Sequence, residues 1–157
     1  MKKQSLILIS TVLFSFGCFA QKITTKDSLK ITKSIKSVID NFENIDYKKF
    51  ESISISEIYC IICNGTKDSK LDPYVISRKD FFENHLKTIK DFESWKRAAK
   101  SEEIKLILEK NKRSDITVYL TTWKKDELTK GHEGEQLGLY FKKRNGKYLF
   151  AGIETIP

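Results

Sequence analysis

Between Thr25 and Glu43 the apolar residues Ile31, Ile35, Val38, Ile39 and Phe42 recur at helical spacing, with lysines on the opposite side. That pattern predicts an amphipathic helix, with Thr25 or Asp27 able to cap its start. Past Asn44, Asp46 is placed to cap a short second helix through Phe50. Residues 53–63 are rich in β-branched side chains and predict a strand that ends at the turn pair Asn64-Gly65. A polar loop runs on to Pro73. Ser77 then opens a third helix, with Asp80 near its positive end and Phe82, Leu86 and Ile89 on its buried side. Residues 92–99 either extend that helix or form a turn of their own.

From Ile104 onward the period shortens to two, with Ile104, Leu106 and Leu108 alternating with other side chains. Strands are expected over 104–108, 116–123, 136–143 and 147–156, with loops over 110–115 and 124–134. Asn145-Gly146 joins the last two as a hairpin, because a type I′ turn needs positive φ at both central residues. The fold class is α+β: N-terminal helices packed on a strongly curved, mainly antiparallel sheet, a cone or cystatin-like roll.

The start of the chain adds a compartment. Lys2 and Lys3 precede the apolar stretch 6–16 and then Gly17-Cys18-Phe19-Ala20, the pattern of a secretory signal peptide cut after Ala20. A second reading lipidates Cys18, but Ser15 stands where bacterial lipoprotein leaders usually carry leucine. No later segment approaches the roughly 20 apolar residues of a spanning helix. A bacterial protein that is periplasmic or secreted is the expectation, with residues 21–157 as one domain. Loss of the leader lowers the formal charge from +8 to +6, since it holds two lysines and no acid. The lysines are scattered among acids rather than gathered in an arginine-rich stripe, so nucleic acid is not an expected partner. The ten phenylalanines exclude a disordered chain.

The helix ending VIDNFENIDYKKF, the strand EIYCIIC, the helix SRKDFFENHL and the closing hairpin GLYFKKRNGKYLFAGIE follow one another in an order that resembles the nuclear transport factor 2-like superfamily. The resemblance implies a curved sheet wrapped around helices into a cone with a pocket, and homodimerisation through the sheet, which is common there. Cystatin-like folds share the helix-plus-curved-sheet logic. The superfamily holds isomerases, dehydratases, hydrolases, ligand-binding modules and interaction domains, so the fold does not choose a function. No catalytic motif of an enzyme branch matches here residue by residue.

Cys60 and Cys63 are the most chemical feature of the chain. In a regular strand they point to opposite faces with α-carbons roughly 10 Å apart, at about 3.3 Å per residue. A disulfide needs less than about 7 Å. Structural thiols are therefore the first reading. A local disulfide at a turn is the second, favoured by an oxidising compartment. A redox pair needs a helix after the first cysteine, and haem attachment needs histidine where Asn64 stands. Zinc could draw on His85 and His132, but the spacing matches no finger. No metal and no cofactor are expected.

Counting back from Asn145-Gly146 pairs Phe141 with Phe150, Leu139 with Gly152 and Leu137 with Glu154. That register puts Glu154 at the end of an apolar face carrying Leu137, Leu139, Phe141, Tyr148 and Phe150. A carboxylate desolvated at a pocket mouth becomes a candidate acid or base, with His132 in the nearby loop as its companion. The plainer reading makes Glu154 a strand-end residue at the rim. Tyr119 and Trp123 share a strand face at i and i+4, and with Phe141, Phe150 and the helix residue His85 they are the candidates for lining a pocket. The expected function is an exported, non-enzymatic domain binding a small apolar ligand or an envelope protein through a cone pocket or a sheet face, with a second copy as a further possible partner. The alternative is a pocket enzyme doing acid–base chemistry of the isomerase, dehydratase or hydrolase type.

Overall fold

A computed structural model describes residues 23–63, 72–108 and 112–157. The leader, Cys18, the Asn64-Gly65 turn and part of the loop before Ile116 lie outside the described residues.

Helix α1 (Thr25–Asn44) buries Ile31, Ile35, Val38 and Phe42, the stripe its periodicity predicts. Its cap is Thr24, one residue earlier than expected: the Thr24 Oγ1 accepts the Asp27 backbone N–H at 3.1 Å and donates to the Asp27 carboxylate at 3.0 Å. At the far end Ile45 takes positive φ, and Asn41 Nδ2 donates to the Asp46 carbonyl at 2.9 Å. Asp46 in turn caps α2 (Tyr47–Ile53) by accepting the Lys49 N–H at 3.0 Å.

Strand β1 (Ser54–Cys60) is shorter than predicted, because residues Ile61–Cys63 form a 3-10 turn. The turn brings the α-carbons of Cys60 and Cys63 to 5.3 Å and the two are disulfide-bonded. The first reading of this pair, as thiols on a regular strand, gives way to the second. β2 (Val75–Ser77), absent from the sequence reading, pairs antiparallel with β1. Ser77 caps the next helix as expected, its hydroxyl accepting the Asp80 N–H at 3.0 Å. That helix runs as α3 (Arg78–Asp80), a π turn (Phe81–His85) and α4 (Leu86–Asp91). Extended backbone at Phe92 stops it, so α5 (Glu93–Ala98) is separate.

Strands β3 (Ile104–Leu108), β4 (Ile116–Trp123), β5 (Glu135–Arg144) and β6 (Lys147–Ile156) follow as an antiparallel run. The six strands form one open sheet in the order β2-β1-β6-β5-β4-β3, with β1 parallel to β6 and all other pairs antiparallel. Asn145 and Gly146 have the positive φ a type I′ turn requires. The helices cover one face of the sheet, and the core lies between. Its centre is aromatic: Phe42 stacks on Trp95 at 3.9 Å between ring centroids, Phe50 stacks on Phe81 at 5.7 Å, and Phe150 meets Phe42, Phe50, Phe81 and Phe141. Phe141 and Phe150 are fully buried here. They are core rings, not the lining of an open pocket, which corrects their assignment as ligand contacts.

Candidate functional site on the outer face of the sheet

The site is made by a defect in strand pairing. From Arg144↔Lys147 to Phe141↔Phe150 the hairpin keeps the register its turn dictates. A β-bulge then intervenes, and Tyr140 pairs with Gly152, Leu139 with Ile153 and Gly138 with Glu154. One extra residue reverses the side to which every later side chain points. Ile153 therefore joins the core, and Glu154 faces away from the helices, opposite to its predicted side.

Two cross-strand rows result on this outer face. Tyr59 of β1, Gly152 of β6, Tyr140 of β5 and Thr117 of β4 form one; Glu154, Gly138 and Tyr119 form the next. The glycines are what let the rings lie against the backbone. A Cβ on Gly152 would stand 2.4 Å from the Tyr59 carbonyl oxygen and 3.0 Å from Tyr140 Cδ2. On Gly138 it would meet Glu154 Cγ at 3.1 Å and Tyr119 Cε1 at 3.4 Å. Tyr59 packs on Tyr140 at 5.5 Å and edge-on to Tyr74 at 6.1 Å. Above it the Arg113 guanidinium lies 4.0 Å from the ring centroid and reaches Asp72 at 3.5 Å.

The electrostatics follow from this packing. Burial pushes the Tyr140 phenol well above its ordinary 10.0, and a hydrogen bond to the Glu154 carboxylate and that group's charge push the same way. Burial also raises Tyr59, opposed by the Arg113 charge. Tyr140 is thus a neutral donor held against a carboxylate acceptor, and Tyr119 and Glu154 remain partly open to solvent. Such a surface can recognise donors and cations by hydrogen bonds and aromatic contact.

Other predicted site residues go elsewhere. His132 is built into its own loop: its Nδ1 accepts the Gly134 N–H at 3.0 Å, its carbonyl accepts the Asp126 N–H at 2.8 Å, and its Nε2 is 3.8 Å from Glu135. Its ring is taken up there and does not partner Glu154. A second bulge, between Thr121 and Trp123, pairs Trp123 with Glu135 and takes it off the face of Tyr119; the Arg97 guanidinium covers it at 5.1 Å. His85 ends the π turn, half-buried. The sulfurs of Cys60 and Cys63 are bonded to each other, so they are not available as metal ligands. Gly138 and Gly152 were the missed signal: a glycine inside a strand pattern marks a bulge or a close approach.

Among the described residues no helix is long and apolar enough to cross a membrane. No protein-family model matches the chain, and no curated protein matches it. Among solved structures it is similar to a designed NTF2-like protein, at 19% sequence identity, over 83% of this chain and 99% of that one, with a TM-score of 0.45.

Proposed function

We propose that this chain is an exported, non-enzymatic binding domain that meets a protein partner through the outer face of its sheet, with Tyr119 and Glu154 at the centre of the contact and Tyr140 supporting Glu154 from beneath. The observation that carries this reading is the contrast between the two faces: rings fill the helix side, while on the other Tyr119 and Glu154 stand partly open across Gly138, beside the buried phenols of Tyr59 and Tyr140. Tyrosine is over-represented at the cores of protein interfaces because it offers contact area and a hydrogen bond at little entropic cost. The Cys60–Cys63 disulfide supports export, since such bonds persist in oxidising compartments. The partner is a second copy or an envelope protein.

The test pairs Tyr119→Arg with Glu154→Arg, both at partly exposed positions, and follows mass in solution over a concentration series alongside cross-linking in the native envelope. Loss of self-association or of one cross-linked species, with an unchanged circular dichroism spectrum, is the expected result. An unaltered mass distribution and cross-link pattern would remove this face as the interface. The Tyr140–Glu154 hydrogen bond favours one second reading, acid–base chemistry at this surface. Glu154→Gln separates the two: a turnover that disappears while the fold persists belongs to an enzyme.

A further inference from the structure

A different part of the molecule gathers charge that the sequence disperses. The first residues of β6 have β5 on one side only, because the β1–β6 ladder starts at Ser54↔Phe150. The hairpin register turns the carbonyl of Tyr148 toward this open edge, where the Ser34 hydroxyl donates to it at 2.7 Å. Lys30 of α1 crosses to donate to the Gly146 carbonyl at 2.9 Å. Between α1, the α2–β1 junction and the β6 edge lies a cleft of about 350 Å³.

Its lining is amphiphilic. Ile53, Tyr148 and Leu149 supply apolar surface, and Lys30, Lys33 and Lys147 supply three ammonium groups. The remaining side chains are the serines Ser34, Ser37 and Ser52, and no carboxylate lines the cleft. Among the described residues none of the three lysines is in an ion pair. Asp27, on the first turn of the same helix, is already taken by Lys143 at 2.9 Å, the Tyr148 hydroxyl at 3.0 Å and Thr24. Three like charges held around one concave surface without a counter-charge favour an anion there.

We infer that this cleft binds a small amphiphilic anion, with a carboxylate, phosphate or sulfate head at the lysine rim and an apolar body on Ile53, Tyr148 and Leu149. The volume lies at the lower end of small-molecule sites, which suits a short chain or one ring and not the paired tails of a bilayer lipid. This inference does not rest on the interface reading, because the cleft is at the turn end of β6 and Glu154 is at the other.

Calorimetric titration of the full chain with octyl phosphate below its micelle concentration tests it, against inorganic phosphate, neutral octyl glucoside and phosphatidylglycerol vesicles. Octyl phosphate should bind roughly tenfold or more tightly than either inorganic phosphate or octyl glucoside. The pair Lys33→Gln and Lys147→Gln, at exposed positions that leave the fold intact, should weaken it by roughly tenfold, and added salt should do the same. Leu149→Gln should bring octyl phosphate down to the level of inorganic phosphate. Undiminished binding by the lysine pair, equal binding of octyl and inorganic phosphate, no binding of octyl phosphate, or binding to vesicles alone would each overturn the proposal.

Discussion

The two faces of the sheet are held by opposite devices. On the helix side, stability comes from volume: Phe42, Trp95, Phe50, Phe81, Phe141 and Phe150 fill the space and each is at most 1% exposed. On the outer side it comes from the absence of volume, since Tyr59 and Tyr140 can lie flat only because Gly152 has no side chain. One face therefore fails when atoms are removed, and the other when a single methyl is added.

The largest effect should come from Phe42→Ala, which empties a site touching Trp95, Phe81 and Phe150; about 3–5 kcal/mol should be lost in denaturant unfolding. Next, Gly152→Ala should cost up to about 3 kcal/mol, because its Cβ meets fixed backbone, and should change the tyrosine near-ultraviolet signal. Gly138→Ala should cost clearly less, since the Glu154 side chain can move aside; equal costs would mean that backbone approach is not the device. Replacing Cys60 and Cys63 together by serine should lose about 2 kcal/mol, as only a short loop is closed. The intact protein should offer no thiol from this pair to an alkylating reagent until it is reduced.

The smallest effect is tied to pH. Tyr140→Phe removes one hydrogen bond, worth about 1 kcal/mol. Because the folded phenol has a raised pKa, its contribution is fully present below the ordinary 10.0 and is lost as pH rises above it. The parent should thus lose stability in alkali more steeply than the variant, and phenolate absorbance should lag behind that of free tyrosine. Identical alkaline profiles would show that Tyr140 is not held protonated by the fold.

Much of this architecture is legible in the chain. The α1 stripe, the Asp46 and Ser77 caps and the Asn145-Gly146 turn are local signals, and local geometry honours them. What fails is extrapolation along a strand. The alternation that places Phe141 opposite Phe150 is sound for a few residues, and one bulge then sends Glu154 to the other face. The same happens to Trp123 beyond Thr121, and the assumption of a regular strand through Cys63 hides the turn that closes the disulfide. Period-two reasoning carries no information about inserted residues, whereas glycines inside strands do. The lysine-rimmed cleft was illegible for a different reason: Lys30 and Lys147 are brought together only by tertiary contact.

The parallel pairing of β1 with β6 sets the order in which the molecule can be completed. α1 is fastened to residues more than a hundred positions later, through Lys30 to Gly146, Ser34 to Tyr148 and Asp27 to Lys143. Phe42 and Phe50 likewise find Phe150 only when β6 is in place. The tertiary contacts of α1 and α2 are therefore completed only when the last strand of the sheet is in place. Contacts so distant in sequence slow folding, because the closure of a long loop must precede the pairing it allows.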